Sequence, residues 1–135
     1  MKIRTGFVSN SSSSSFILEF EARDSIATVA GHDFSMEDFL ESFYLSHNID
    51  TEVICITGDE EGEESKKLLG TLESIIRWSE DETEKATLKD ICEDIKKDEH
   101  KFAHVSINYH DRALMFLFKV LRDYGLFKVR FTAEG

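Results

Sequence analysis

The sequence predicts a single α+β domain whose elements follow the order β-α-β-α-α-β-α-β. Four segments show the two-residue alternation or the short apolar run of strands, and four others carry apolar residues at helical spacing. The chain has 135 residues, of which 41% are hydrophobic, enough to fill the core of one domain. We therefore expect residues 16–135 to fold as one unit and residues 1–15 to form a serine-rich N-terminal arm.

The first half of the chain contains two predicted strands and one predicted helix. Phe16–Ala22 alternates between apolar residues and glutamates, which is typical of a half-buried strand. Ser35 is followed three residues later by Asp38, a pattern similar to a capping box, and an apolar stripe at helical spacing continues to about His47. Thr51–Thr57 contains a continuous apolar run, which predicts a strand buried on both faces.

The second half predicts three helices and two strands. Residues 59–99 contain two apolar stripes at helical spacing and therefore two consecutive helices. Phe102–Tyr109 alternates and predicts a strand, after which Asp111 is expected to cap a strongly apolar helix that Gly125 ends. Leu126–Ala133 alternates again, which predicts a last strand with its phenylalanines on one face.

The two consecutive helices decide the predicted topology. A helical hairpin reverses the chain once more, so that the second and third strands can run antiparallel as a simple β-hairpin would. The resulting plan is a ferredoxin-like sandwich with an inserted acidic helical hairpin, and in that plan the first and last strands are antiparallel neighbours. Glu19 and Glu21 would then lie opposite Lys128 and Arg130, which are complementary in charge. An open mixed sheet with helices on both faces is the alternative.

Charge is concentrated in the helical hairpin. The chain has a net charge of −11, and residues 59–99 alone hold 15 acidic and 7 basic side chains. This balance argues against direct nucleic-acid binding, and no apolar stretch reaches the roughly 20 residues of a membrane helix. We expect the hairpin to bind a basic surface of another protein, although the same acids would also simply keep the chain soluble. The expected partner-binding residues are Asp59, Glu60, Glu61, Glu63, Glu64, Glu80, Asp81 and Glu82.

A second candidate surface is the polar face of the predicted sheet. A small ligand or nucleotide could bind there, whereas the simpler interpretation is a solvated or helix-covered face. Its residues would be Glu19, Glu21, His104, Ser106, Asn108, Lys128 and Arg130. No residue pattern predicts a metal site, a cofactor or an enzyme. Cys55 and Cys92 lie in apolar segments and are interpreted as reduced core residues, which favours a cytoplasmic location.

The N-terminal segment resembles a leader sequence found in other proteins. Residues 1–16 are similar to the leader G-F-V-S-N-S-S-S-S-S-F of many otherwise dissimilar, uncharacterised proteins of bacteriophages and Gram-positive bacteria. This resemblance implies a phage-type accessory protein of the bacterial cytoplasm, and an inhibitor of a nucleic-acid-handling or defence protein would fit that role. The serines predict either a flexible arm or a recognition leader. The leader residues are Phe7, Ser9, Asn10, Ser11, Ser12, Ser13, Ser14, Ser15 and Phe16.

Overall fold

The computed structural model of this chain describes residues 13–21, 26–29, 31–46, 51–58, 61–108 and 111–134. In chain order the elements are β1 (Ser13–Phe20), β2 (Ile26–Val29), β3 (His32–Ser35), α1 (Met36–Ser46), β4 (Thr51–Ile56), α2 (Glu63–Trp78), α3 (Glu82–Lys97), β5 (Lys101–Asn108), α4 (Arg112–Asp123) and β6 (Lys128–Glu134). The protein is thus α+β, with four helices and a four-stranded antiparallel sheet in the described residues.

The main sheet has the strand order β4-β5-β1-β6, and each neighbouring pair is antiparallel. The predicted adjacency of the first and last main strands is confirmed, because β1 pairs with β6 from Ser14 to Glu19. Glu19 lies opposite Lys128 in this register and forms an ion pair with Arg130, whereas Glu21 lies beyond the paired residues.

Polar side chains cap α1, α3 and α4, whereas α2 follows Gly62 and has no side-chain cap. The Ser35 hydroxyl accepts a hydrogen bond from the backbone N–H of Asp38 at 3.3 Å. Asp81 caps α3 by accepting from two backbone N–H groups of its first turn, and Asp111 caps α4 by accepting from the N–H group of Leu114. Each cap satisfies N–H groups that have no partner within the helix. At the far end of α4, Gly125 adopts a φ of 80°, which favours glycine because it lacks a Cβ atom.

Helices cover both faces of the main sheet. One core lies between the sheet and α1 and α4, around Met36, Leu40, Val105 and Leu121. The other lies between the sheet and the helix pair, α2 and α3, and consists of Ile17, Cys55, Leu68, Leu72, Ile75, Leu88, Ile91, Cys92, Ile95, Phe102 and Ala133. The expectation that the inserted helix pair projects from the sandwich as an arm is therefore corrected, because the pair packs on the sheet as a third layer. Its apolar stripes close the second sheet face, and its charged residues face outward.

Two β-bulges change which residues share a face. Between β4 and β5 the register shifts after Val53, and Ile54 is the extra residue. Between β1 and β6 the pairing shifts between Ile17 and Leu18, and Arg130 is the extra residue. As a consequence Phe131 packs against the helix-pair core, whereas Val129 lies on the opposite face. The predicted strict alternation of Leu126–Ala133 is therefore wrong, because an inserted residue reverses the alternation of a strand.

The order of elements also contains a hairpin that the sequence did not predict. β2 and β3 pair with each other and form a separate two-stranded sheet, with Gly31 at a φ of 81° in the turn. Each strand has only four residues, too few for a clear alternation pattern. In addition, β1 begins at Ser13, three residues before the predicted start, and both Ser14 and Ser15 are buried. The last three serines of the leader thus belong to the sheet.

Part of the predicted sites lies outside the described residues. These residues are Asp59 and Glu60 of the partner-binding set and Phe7, Ser9, Asn10, Ser11 and Ser12 of the leader.

Candidate functional site

The predicted polar face of the sheet is covered by the helix pair. His104 lies on the central strand β5 and is only 1% exposed. Burial, together with the positive charge of Lys67, lowers the pKa of His104 to about 4, so that the imidazole is neutral at physiological pH. Ser106 and Asn108, on the same strand, are half-buried. The central part of this face is therefore not an open surface for a ligand.

At one end of the same face, a charged cluster joins four elements of the fold. Its members are Glu19 on β1, Asp94 on α3, His100 in the turn before β5, and Arg130 at the β6 bulge. The Arg130 guanidinium donates to Glu19 Oε1 at 2.9 Å and lies 2.8 Å from Asp94 Oδ2. His100 Nδ1 lies 2.6 Å from Glu19 Oε2, and because a carboxylate has no proton to give, the ring donates. Glu21 extends the cluster, at 3.4 Å from His100 Nε2.

The charges of the cluster stabilise one another. Burial alone would raise the pKa of Glu19, but hydrogen bonds from His100 and Arg130 outweigh burial and lower it. The hydrogen bond to Glu19 raises the pKa of His100 above its usual 6.5. The hydrogen bond from Arg130 lowers the pKa of Asp94. In each case the charged form is favoured by a hydrogen bond to another member of the cluster.

A polar depression of about 360 Å³ lies over the charged cluster. Its lining residues are Glu19, Asp94, Lys97, Glu99, His100, Lys128 and Arg130. The lining combines three acids with three bases and one histidine, and Lys97, His100 and Arg130 each contact Glu19 or Asp94. Such a network favours a structural role, because it ties α3 to the sheet. Four of the predicted ligand-face residues, Glu19, Glu21, Lys128 and Arg130, meet here, whereas Asp94 and His100 were not predicted as part of the site.

The predicted acidic docking residues do not form one surface. Glu61, Glu63 and Glu64 lie at the start of α2, whereas Glu80, Asp81 and Glu82 lie beyond its end. Because α2 has 16 residues, these two groups are separated by roughly 24 Å at 1.5 Å per residue. A single compact partner contact would therefore use one end of the helix pair.

The acidic turn between α2 and α3 (Trp78–Glu82) combines negative charge with an exposed aromatic ring. Trp78, the last residue of α2, is 67% exposed, and Glu80, Asp81 and Glu82 are exposed beside it. The turn is fixed by hydrogen bonds: the Ser79 N–H donates to Ile75 O at 2.9 Å, and the Asp81 N–H donates to the Ser79 hydroxyl at 3.2 Å. Trp78 is thus presented on an ordered backbone.

The two cysteines are buried and free, as predicted. Burial raises the pKa of Cys55 to about 11 and also raises the pKa of Cys92. Both thiols are therefore protonated and shielded, which makes them poor nucleophiles.

Two further properties concern the described part of the chain alone. Within it, no group of three or more His, Cys, Asp or Glu residues is arranged to hold a metal ion. Among its helices, none is both long and apolar enough to cross a bilayer.

Comparison with known proteins gives no match: no protein family, no curated protein and no solved structure aligns with this chain. The interpretation of its function therefore depends on the surfaces described above.

Proposed function

We propose that this chain is an interaction protein that docks through the acidic turn onto a basic surface of a partner protein. The observation that carries the proposal is the exposed ring of Trp78 among the carboxylates of Glu80, Asp81 and Glu82. Tryptophan is enriched among the residues that dominate binding energy, because it removes a large apolar area from water at little entropic cost.

The surrounding carboxylates give the proposed contact its selectivity. Over residues 77–85, from the end of α2 into the first turn of α3, the acids Glu80, Asp81, Glu82 and Glu84 outnumber the bases Arg77 and Lys85. Complementary charge raises the association rate and disfavours acidic partners, and it makes binding sensitive to salt. A basic groove that normally holds nucleic acid has the charge that such a turn would recognise.

The leader extends this proposal to the biological setting. The resemblance of residues 1–16 to a phage and Gram-positive leader favours an accessory protein of bacteriophage origin, and inhibition of a nucleic-acid-handling or defence protein fits an acidic docking surface. The proposed role is non-catalytic and needs no cofactor.

We also propose that the fold is ferredoxin-like, with the helix pair and the β2–β3 hairpin as insertions. Two features support this interpretation. The connections β1 to β4 and β5 to β6 each pass over one strand of the main sheet, and their helices, α1 and α4, contribute to the same core.

A capture experiment with matched variants tests the docking proposal. The immobilised protein should capture a discrete partner from a bacterial lysate at about 50 mM salt and lose it at about 0.5 M, because salt screens surface charge. Trp78→Ala should weaken binding of the captured partner by at least about 30-fold, which corresponds to loss of a binding hot spot. Tyr124→Ala is the matched control, because Tyr124 is 57% exposed but lies at the end of α4, against the other sheet face.

Charge reversal separates specific docking from a general charge effect. Glu80→Lys with Glu82→Lys should abolish capture, whereas Glu61→Lys with Glu63→Lys should retain most of it. The two double variants change net charge equally, and Glu82 and Glu63 each have a lysine partner three residues away. Equal losses from both double variants, or capture that survives Trp78→Ala, would contradict the proposal.

A further inference from the structure

A largely apolar groove of about 430 Å³ opens between α4 and the sheet, on the face opposite the helix pair. Its sheet side is formed by Phe16, Leu18, Ile107, Phe127 and Val129. The volume lies within the roughly 300–1,000 Å³ that is usual for small-molecule sites. The groove is thus large enough to enclose a small ligand and is lined by side chains that favour an apolar one.

Among the described residues that line the groove, the charged ones are all basic. Arg112, Lys119 and Arg122 come from α4, and their spacings of seven and three residues place them along one side of the helix. Arg122 lies 3.7 Å from Asp123, but about half of the Arg122 side chain and most of the Asp123 side chain are exposed, so that this contact neutralises it only weakly. The chain as a whole has a net charge of −11, but these three cations make the edge of the apolar groove locally basic.

The mouth of the groove leaves apolar surface in contact with water. Phe116 is 68% exposed, and Val129 on the edge strand β6 is 36% exposed. Exposed apolar surface next to a cavity is costly unless something covers it, and surfaces of this kind often mark binding sites.

We propose that this groove binds a single-chain amphiphile with an anionic headgroup, such as a long-chain carboxylate. The hydrocarbon chain would lie along Phe16, Leu18 and Val129, where it leaves water. The carboxylate would accept hydrogen bonds from the cations of α4, and charge-assisted bonds of this kind are among the stronger ones.

The dimensions favour a slender chain over a peptide helix. One turn of a helix, with a diameter of about 10 Å and a pitch of 5.4 Å, already occupies roughly 400 Å³. The groove would therefore hold little more than a single turn, too short for the several anchors that a docked helix uses.

Calorimetric titration of the full chain tests the proposal. Dodecanoate, used below the concentration at which it forms micelles, should bind with a stoichiometry of one, and more tightly than dodecanol. Vesicles of anionic phospholipid serve as a separate arm, because a membrane surface would offer the same headgroup charge. Binding to vesicles without binding of dodecanoate, or a dodecanol affinity equal to that of dodecanoate, would overturn the proposal.

Three variants locate the site. Lys119→Glu should raise the Kd for dodecanoate roughly tenfold, because it replaces an attraction by a repulsion, and should leave the Kd for dodecanol unchanged. Val129→Trp should fill the groove and abolish the binding of both ligands. Lys89→Glu, an exposed charge reversal on α3, is the control and should change neither Kd.

The charge variants decide the result even if Val129→Trp does not fold, because Lys119 and Lys89 are both exposed and neither is part of a core. Equal effects of Lys119→Glu and Lys89→Glu, or unchanged dodecanoate binding by a folded Val129→Trp protein, would refute the groove as the site.

Discussion

At the scale of single residues, Arg130 connects its own strand β6 to β1, α3 and β5. Its guanidinium bonds to Glu19 on β1 and Asp94 on α3, and its carbon lies 5.9 Å from the ring centre of Phe102 on β5. This geometry depends on the β6 bulge, because the extra residue of a bulge is directed differently from its neighbours.

We expect Arg130→Met to lower the free energy of unfolding by about 2 kcal/mol, because Glu19 loses a charge-assisted hydrogen bond in a mostly buried position. Chemical denaturation monitored by circular dichroism measures the change. Lys66→Met is the matched control: it removes the same charge, but its pair with Glu63 is exposed, and the expected change is within about 0.5 kcal/mol. Similar losses for the two variants would contradict a special role for Arg130.

His100 makes the stability of the charged cluster depend on pH. Because the pKa of His100 is raised in the folded protein, its contribution is complete below the unfolded value of 6.5 and is lost as the pH rises through the folded pKa. The pKa of Glu19 is lowered from 4.5, so its contribution is present above that value and is lost as the pH falls through the folded pKa.

We therefore expect the stability difference between the native chain and His100→Gln to be largest near about pH 5.5 and to shrink by about pH 8.5. Denaturation curves of both proteins across this range measure the difference. The buried His104 titrates in both proteins, so its effect cancels in the comparison. A difference that stays constant or grows as the pH rises would refute the assigned Glu19–His100 interaction.

At the scale of elements, the helix pair has two distinct sides. Its apolar stripes pack on the sheet around Leu72 and Ile91, while the opposite sides carry exposed charges with i,i+3 pairs such as Lys96–Glu93. The two cysteines report on this interface, since Cys92 lies on α3 and Cys55 lies on β4, the strand that α2 covers. Thiol reactivity should therefore detect any opening of the pair.

Leu72→Ala should lower the free energy of unfolding by about 3 kcal/mol, because it removes a fully buried side chain and leaves a cavity. It should also increase the rate at which both cysteines react with a disulfide reagent under native conditions. Leu121→Ala removes an equally buried leucine from the opposite core. It should raise the thiol reaction rate only through the increase in globally unfolded protein, and not through local opening of the helix pair. Equal thiol rates in the two variants at equal stability would contradict local opening of the helix pair.

Patterns within one element predicted its type more reliably than its side-chain directions. The capping residues Ser35 and Asp111 marked helix starts correctly, because a cap acts on the next few residues of the same segment. Arg130 and Ile54 could not be recognised as bulge residues, because a bulge is a property of the register between two strands.

At the scale of the whole molecule, the two proposed surfaces lie on opposite sides of the main sheet. The acidic turn belongs to the helix pair on one side, and the groove with its basic residues lies beside α4 on the other. The net charge of −11 is therefore a sum that conceals a local excess of cations. The net charge of the whole chain therefore does not predict the charge of a partner, because each surface binds a partner complementary to its own local charge.

The sequence by itself determined the four helices and the four main strands, because apolar spacing and caps are patterns within a single segment. It also determined that β1 and β6 are adjacent, because their charged residues are complementary. Only the tertiary structure decided that the helix pair covers the polar sheet face, that His104 is buried beneath it, and that Trp78 is exposed at its end. These properties depend on which surfaces meet after the chain has folded. An apolar stripe predicts that a segment is a helix, but it does not indicate which face of the sheet that helix will cover.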